Sequence, residues 1–147
     1  MTGRRQEPNL GILLFVAYRA LEQRAYDAVV AAGVRDITPA QARLAARIGP
    51  GGTRVSDLAD QARVTKQSAG FLVEQLEAAG YVDRVPDPAD GRARLVRLTA
   101  RADPVVAAAD AEVERVLHEW AGHVGADRLR QVHQTLRDLR ELTDPWR

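Results

Sequence analysis

The sequence predicts a mainly α protein in which one short β-hairpin interrupts a series of helices. Three observations predict it. Apolar residues make up 46% of the chain but aromatics only 5%, so the core must be built from Leu, Val and Ala, a composition that leans to helix. Apolar residues recur at three- and four-residue steps along most of the 147 residues. One run of turn formers, Pro86-Asp87-Pro88-Ala89-Asp90-Gly91, breaks that pattern and has strand-like residues on both sides.

Residues 1–9 are polar, with Arg4, Arg5 and Pro8, and are expected to form a flexible arm. A long helix follows over residues 10–32, on which Leu10, Leu14, Ala17, Leu21, Ala25 and Val29 form one stripe and Gly33 is the stop. Thr38-Pro39 starts the next helix, over residues 39–48, with a capping hydroxyl and a first-turn proline. Gly49-Pro50-Gly51-Gly52 ends it. A short helix over residues 55–61 carries Ser56 and Asp57 near its positive end. Ala62-Arg63-Val64 is the turn, Thr65 the cap of a helix over residues 66–79, and Gly80 its stop. Strands are expected over residues 81–85 and 93–98, joined by the six-residue turn. Thr99 should cap a helix over residues 100–120. Gly122 and Gly125 mark a break before the last helix, residues 127–142, with Leu129, Val132, Leu136 and Leu139 on one face.

Residues 38–99 can enclose a small core alone. The helices over residues 10–32 and 100–142 have apolar faces with little to cover them inside one chain. The economical arrangement is a homodimer in which residues 10–147 form a single unit and the terminal helices cover each other across a two-fold axis. Leu10, Leu14, Val16 and Leu21, with Leu129, Val132, Leu136 and Leu139, are the expected interface.

Composition narrows the chemistry. The chain has no cysteine, which excludes disulfides, thiolate metal sites and thiol redox switching. His118, His123 and His133 form no ligand pattern. There is no phosphate-cradling glycine loop and no paired carboxylate beside a histidine. No catalytic residue, cofactor or metal is expected. No early stretch has the shape of a signal peptide and no span reaches membrane length, so the expectation is a soluble, cytoplasmic protein without a membrane partner. Net charge is only +1, but it is unevenly spread. Arg63 to Arg101 holds seven basic and five acidic residues, and the stretch after it six basic and nine acidic. Only Lys66 among the 21 basic residues is not arginine.

Two short helices joined by a tight turn, the second opening on small polar residues, form a helix-turn-helix, the arrangement that reads double-stranded DNA. The second helix must bury one face and leave the other free for the major groove. Ala69, Leu72, Val73 and Leu76 supply the buried face, and Lys66, Gln67, Gly70, Phe71 and Glu74 the open one. Lys66 suits a phosphate or a guanine edge, Gln67 an adenine edge, and Ser68 a base or phosphate. Thr65 and Gly70 complete the set. Phe71 is expected to lie half-buried against the hairpin, with contact to a thymine methyl as its other use. The hairpin is a basic finger, with Arg92, Arg94 and Arg97 beside its turn. Such a wing can enter the minor groove through Arg92 and Arg94, with Asp90 pairing to one of them and holding its shape.

At this point the chain resembles the MarR family, winged helix-turn-helix regulators, over about residues 10–142. The most specific piece is the run from Asp87 to Thr99, in which Asp90, Arg92, Leu98 and Thr99 match the family's wing signature. Leu58-Ala59, Leu72-Val73, Leu76-Glu77, Gly80-Tyr81-Val82 and Thr38-Pro39-Ala40-Gln41 resemble its core pattern. Ala42, Gly70 and Phe71 depart from it. The resemblance implies a mainly α, winged helix-turn-helix fold with N- and C-terminal dimerisation helices, a near-palindromic operator, and repression as the commoner outcome. It also implies a small aromatic or phenolic effector between the dimer helices and the reading region. Phe15, Tyr18, Tyr26 and Trp120 sit on helices that would border that space, and Ala42 leaves room there. Two other readings stand beside it: an interaction or assembly module on the same fold that has lost specific DNA binding, and an enzyme.

Overall fold

A computed structural model describes residues 7–144. Most of the expected N-terminal arm, including Arg4 and Arg5, lies outside the described residues, as do residues 145–147. The last residue of that arm has a defined role: Asn9 Oδ1 accepts the Ile12 N–H at 3.0 Å and caps the first helix, α1 (Leu10–Ala31). Gly33, at a φ of +96°, turns the chain out of it.

Thr38 and Gln41 form a reciprocal capping box at the start of α2 (Pro39–Ala45). This helix is shorter than the sequence suggests, because residues 46–48 tighten into three-residue turns, Arg47 N–H to Leu44 O and Ile48 N–H to Ala45 O. α3 (Val55–Ala62) starts after Arg54, so Ser56 lies inside it rather than capping it. α4 (Lys66–Ala78) is capped by Thr65, whose Oγ1 accepts the Ser68 N–H at 3.0 Å.

The hairpin differs more. β1 (Val82–Asp87) and β2 (Asp90–Leu98) are both longer than predicted, and only Pro88 and Ala89 remain as the turn. The strands pair antiparallel from Val82 opposite Leu98 to Pro86 opposite Arg94, then skip to Asp87 opposite Asp90. Gly91, Arg92 and Ala93 therefore bulge out at the tip. Thr53 adds a bridge on the other side of β2: its N–H donates to Val96 O at 2.9 Å and its C=O accepts the Val96 N–H at 2.8 Å. Gly52 makes that approach possible. It holds a φ of +91°, and a Cβ there would stand 2.9 Å from Leu95 Cβ and 3.2 Å from Val96 O.

Thr99 does not cap a helix. Its hydroxyl donates to Gly80 O at 2.6 Å, and a 3₁₀ turn (Ala100–Ala102) leads into α5 (Asp103–Val124). α5 runs through Gly122 and breaks only at Gly125, which has a φ of +95°. The expected last helix is two, α6 (Ala126–Asp138) and α7 (Arg140–Thr143), divided at Leu139.

The core lies between Ile37 and Ala102. Leu44 of α2, Leu58 of α3, Val73 and Leu76 of α4 and Val96 of β2 are all shut off from solvent. Outside that span the described residues bury only Val29 and Val116, where α1 and α5 pack along each other. α6 buries nothing.

Candidate nucleic-acid interface

α4 divides cleanly. Ala69, Val73 and Leu76 are buried and Leu72 is half-buried, as the three- and four-residue spacing predicts. Leu58 and Ala59 of α3 complete the contact beneath it. The turn between the helices closes with Val64 N–H donating to Ala59 O at 3.0 Å. That closure needs a left-handed residue, and the residue is Arg63, at φ 57° and ψ 42°. An arginine there costs about 1 kcal/mol more than a glycine would. Its side chain is exposed and makes no ion pair among the described residues. The sequence reading took Arg63 only as part of the turn.

Thr65, Lys66, Gln67 and Ser68 are all exposed at the start of α4. Lys66 and Gln67 have no side-chain partner among the described residues. Ser68 Oγ accepts the Thr65 hydroxyl at 2.9 Å, which leaves its own proton to donate outward. Gly70 has nothing within 4 Å of the place a Cβ would occupy. Phe71 corrects the expectation made for it. It is 60% exposed and does not lie half-buried against the hairpin, because the interior face of α4 is already filled by Ala69, Leu72 and Val73.

The wing is held near its turn by a pair that the sequence reading missed. Asp87 Oδ2 accepts Arg54 Nε at 3.0 Å and Nη2 at 2.7 Å, while Oδ1 accepts the Ala89 N–H at 2.9 Å. The Ala89 amide, and then the Arg54 guanidinium, hold this carboxyl below the usual range. Asp87 lies in a Pro-Asp-Pro run that reads only as turn, and its partner is 33 residues away, beyond any local pattern. Asp90 does less than expected. Its Oδ1 accepts the backbone N–H of Arg92 at 3.1 Å and shapes the bulge, but it pairs with neither the Arg92 nor the Arg94 side chain. Arg97 is neutralised across the strands by Asp83, at 3.2 and 2.9 Å. Arg92 and Arg94 stay exposed, without a carboxylate partner among the described residues. The two free cations of the finger are thus the two expected to touch DNA.

The proposed interface residues divide by depth. Leu10, Leu14, Val16, Val132, Leu136 and Leu139 are exposed, and Leu21 and Leu129 half-buried. The five residues suggested for an effector space are not gathered into one pocket of the single chain. Phe15 and Tyr18 are exposed, Trp120 is half-buried, and Ala42 packs against the core. Tyr26 is engaged, donating its hydroxyl to Ile37 O at 2.8 Å. Beside Ala42 stands a cluster that spacing did not reveal. Arg43 donates to Glu22 from Nε and Nη2 at 2.8 and 2.7 Å, and Tyr18 and Arg19 also donate to that carboxylate. The Arg43 hydrogen bonds, with help from Tyr18, hold the Glu22 carboxyl at about 2. A cleft of about 650 Å³ lies elsewhere, between the Gly49–Gly52 loop, Asp87 and Leu95 of the wing and the C-terminal segment, where Arg47 pairs with Asp144 at 3.0 Å.

Comparison with known proteins agrees with this geometry. A family model described as MarR family matches residues 35–93, from just before α2 to the tip of the wing. The transcriptional activator ExpG of exopolysaccharide II synthesis in Rhizobium meliloti is 32% identical over 69 residues. That match covers 47% of this chain and 36% of the relative, so it spans about a third of the relative's length. Among solved structures, the transcriptional regulator Tm0710 from Thermotoga maritima is 26% identical, covering 91% of this chain and 92% of that one at a TM-score of 0.57. The Mycobacterium tuberculosis MarR family protein Rv2887, in complex with salicylic acid, is 27% identical, covering 91% and 98% at a TM-score of 0.63.

Proposed function

We propose that the chain is a member of the MarR family and acts as a sequence-specific, double-stranded DNA-binding transcriptional regulator in the form of a homodimer. One observation carries the reading. α4 spends one face on the core and offers the other, with Lys66 and Gln67 unengaged, beside a wing whose Arg92 and Arg94 are exposed and have no carboxylate partner among the described residues; Arg94 makes only a long contact, at 3.5 Å, to Arg84 O. Phosphate contacts by such cations give affinity, and polar side chains at base edges give choice. Thr65, Ser68, Gly70 and Phe71 belong to the same proposed surface, and Asp90 with Asp87 and Arg54 fixes the wing that presents the two arginines.

In this reading residues 38–99 form the reading region, and α1, α5 and α6 the dimerisation helices. The exposed leucines and valines of α1 and α6 meet their equivalents in a second copy. Two copies of α4 would then stand about 34–36 Å apart, one turn of DNA, over a near-palindromic operator. Repression is the proposed outcome, by occlusion of a promoter. No described helix is long and apolar enough to cross a membrane, which suits a cytoplasmic regulator.

A small aromatic or phenolic effector is the proposed trigger. Salicylic acid in the Mycobacterium tuberculosis relative supports it, as does the exposure of Phe15 and Tyr18 on α1. The mechanism is population shift: the ligand must prefer a spacing of the two reading helices that does not match successive major grooves. A tenfold loss of DNA affinity needs about 1.4 kcal/mol of that preference.

Selection of bound fragments from a random DNA pool tests the reading. It should yield a near-palindrome whose affinity falls steeply and linearly with log salt. A pool that shows no enrichment, or binding indifferent to salt, would instead support an assembly module.

A further inference from the structure

Gln67, Gly70, Phe71 and Glu74 lie at three- and four-residue steps and form one stripe along the open face of α4. Two of these four residues are poor choices for the fold. Phe71 leaves 60% of its surface in water, and so forgoes most of the stabilisation that burial of a phenyl ring contributes. Gly70, in a helix interior, is destabilising against alanine. No neighbour demands that glycine, because a Cβ would meet nothing within 4 Å. Phe71 is exposed and a side chain at the neighbouring Gly70 would enter open space, so neither residue is explained by packing within the chain.

The chemistry of the major groove supplies the occupant. Its base edges offer mostly donors and acceptors, and the one sizeable apolar group among them is the C5-methyl of thymine. A phenyl ring placed against any other edge would strip water from a polar atom and return no hydrogen bond. Against the methyl it loses nothing and both surfaces leave water. The missing side chain at Gly70 lets the helix backbone sit close enough for the ring to reach it. Glu74, the next residue of the stripe, is exposed and can only accept hydrogen bonds, so it disfavours phosphate and the acceptor edge of guanine beside that thymine.

We infer that Phe71 is a specificity-determining residue that reads the methyl group of one thymine in each operator half-site, with Gly70 giving it the necessary approach. The inference rests on the DNA-binding reading above and adds the base that the helix selects.

The test uses the full chain and the operator obtained by selection. Each thymine is replaced in turn by uracil, which removes the methyl and keeps the hydrogen-bonding edge. One thymine per half-site should lose about three- to fivefold in affinity, the worth of one methyl, and about ten- to twenty-fivefold when both half-sites are changed. With Phe71→Ala the same replacement should change affinity by less than twofold. Phe71→Leu, which keeps an apolar contact, should retain part of the dependence and serves the comparison if the alanine variant is poorly folded. Gly70→Ala should melt no lower than the native chain, yet bind the thymine operator more weakly. A strong operator whose uracil losses are the same with and without Phe71 would overturn this inference and leave the DNA-binding reading standing. So would a Phe71→Ala chain that reads DNA normally but no longer captures a protein partner. Failure to enrich any DNA would remove both.

Discussion

The segment from Ile37 to Ala102 and the helices that flank it solve the burial problem in opposite ways. The first closes on itself. Leucines from α2, α3 and α4 meet valines of the hairpin, and all twelve residues of the main buried cluster fall inside it. The flanking helices do not close. The first three turns of α1 carry Leu10, Leu14, Phe15 and Val16 in the open, and α6 has no buried residue at all. The difference teaches where each region's stability originates. The reading region draws it from its own core, whereas the arms have apolar faces whose covering the chain itself does not supply. That division suits a reader whose parts are rigid and whose spacing is adjustable.

Substitutions can break or sharpen this contrast. Leu58→Ala, in the closed region, should cost about 2–5 kcal/mol in urea unfolding, since Leu58 is fully buried. Leu14→Asp on the open face should leave the cooperative unfolding of the reading region intact. It should instead convert the protein in light scattering from a dimer to a 16.1 kDa monomer. A Leu14→Asp chain that unfolds as readily as Leu58→Ala would show that the arms are part of the same core. Gly52→Ala tests how the wing is joined to that core. The close approach to Leu95 and Val96 and the positive φ predict a loss of about 1–3 kcal/mol, with the wing's amides exchanging faster.

The junction between arm and reading region should be sensitive to acid. Glu22 on α1 has a folded value of about 2 against an ordinary 4.5. Its contribution is therefore complete above about pH 5 and disappears as pH falls from there towards 2. Glu22→Gln should cost about 1 kcal/mol at neutral pH, because Arg43 remains partly solvated, and should flatten the acid limb of the stability profile. Thermal melts at pH 7 and pH 3 measure both. The smallest change in stability belongs to Arg63→Gly. Relief of the left-handed conformation, about 1 kcal/mol, is offset by the greater freedom of the unfolded chain, so the melt should barely move. As an exposed cation without an ion pair, two residues before the Thr65 cap, Arg63 is expected to meet a phosphate, so DNA affinity should fall nonetheless, with the salt slope lower by about one, which a salt titration reads directly.

Legibility in the sequence followed distance along the chain. The two faces of α4 were readable because a helix repeats its pattern within seven residues, and Thr38, Thr65, Gly33 and Gly80 announced their ends locally. What escaped was held together by partners far apart. Arg54 and Asp87 clamp the wing across 33 positions, Glu22 and Arg43 join two helices, and Thr53 adds an edge to a hairpin thirty residues ahead. The turn was misjudged for a related reason. Pairing across the strands carried β1 through Pro86 to Asp87, although proline lacks the donor a central strand needs, because this is an edge position. Phe71 failed in the other direction. Hydrophobicity predicted burial, and a full interior left the ring outside. The residues suggested for an effector space do not form a pocket in the single chain.

The central claim is that two copies, joined through the arms, place two reading regions on one stretch of DNA. Sedimentation of the selected operator with increasing protein at fixed salt tests it most directly. The predicted complex holds two chains per duplex and forms cooperatively, and Leu14→Asp reduces its affinity sharply while each half-site is still bound weakly. A complex of one chain per duplex, with full affinity that Leu14→Asp leaves unchanged, would contradict the account.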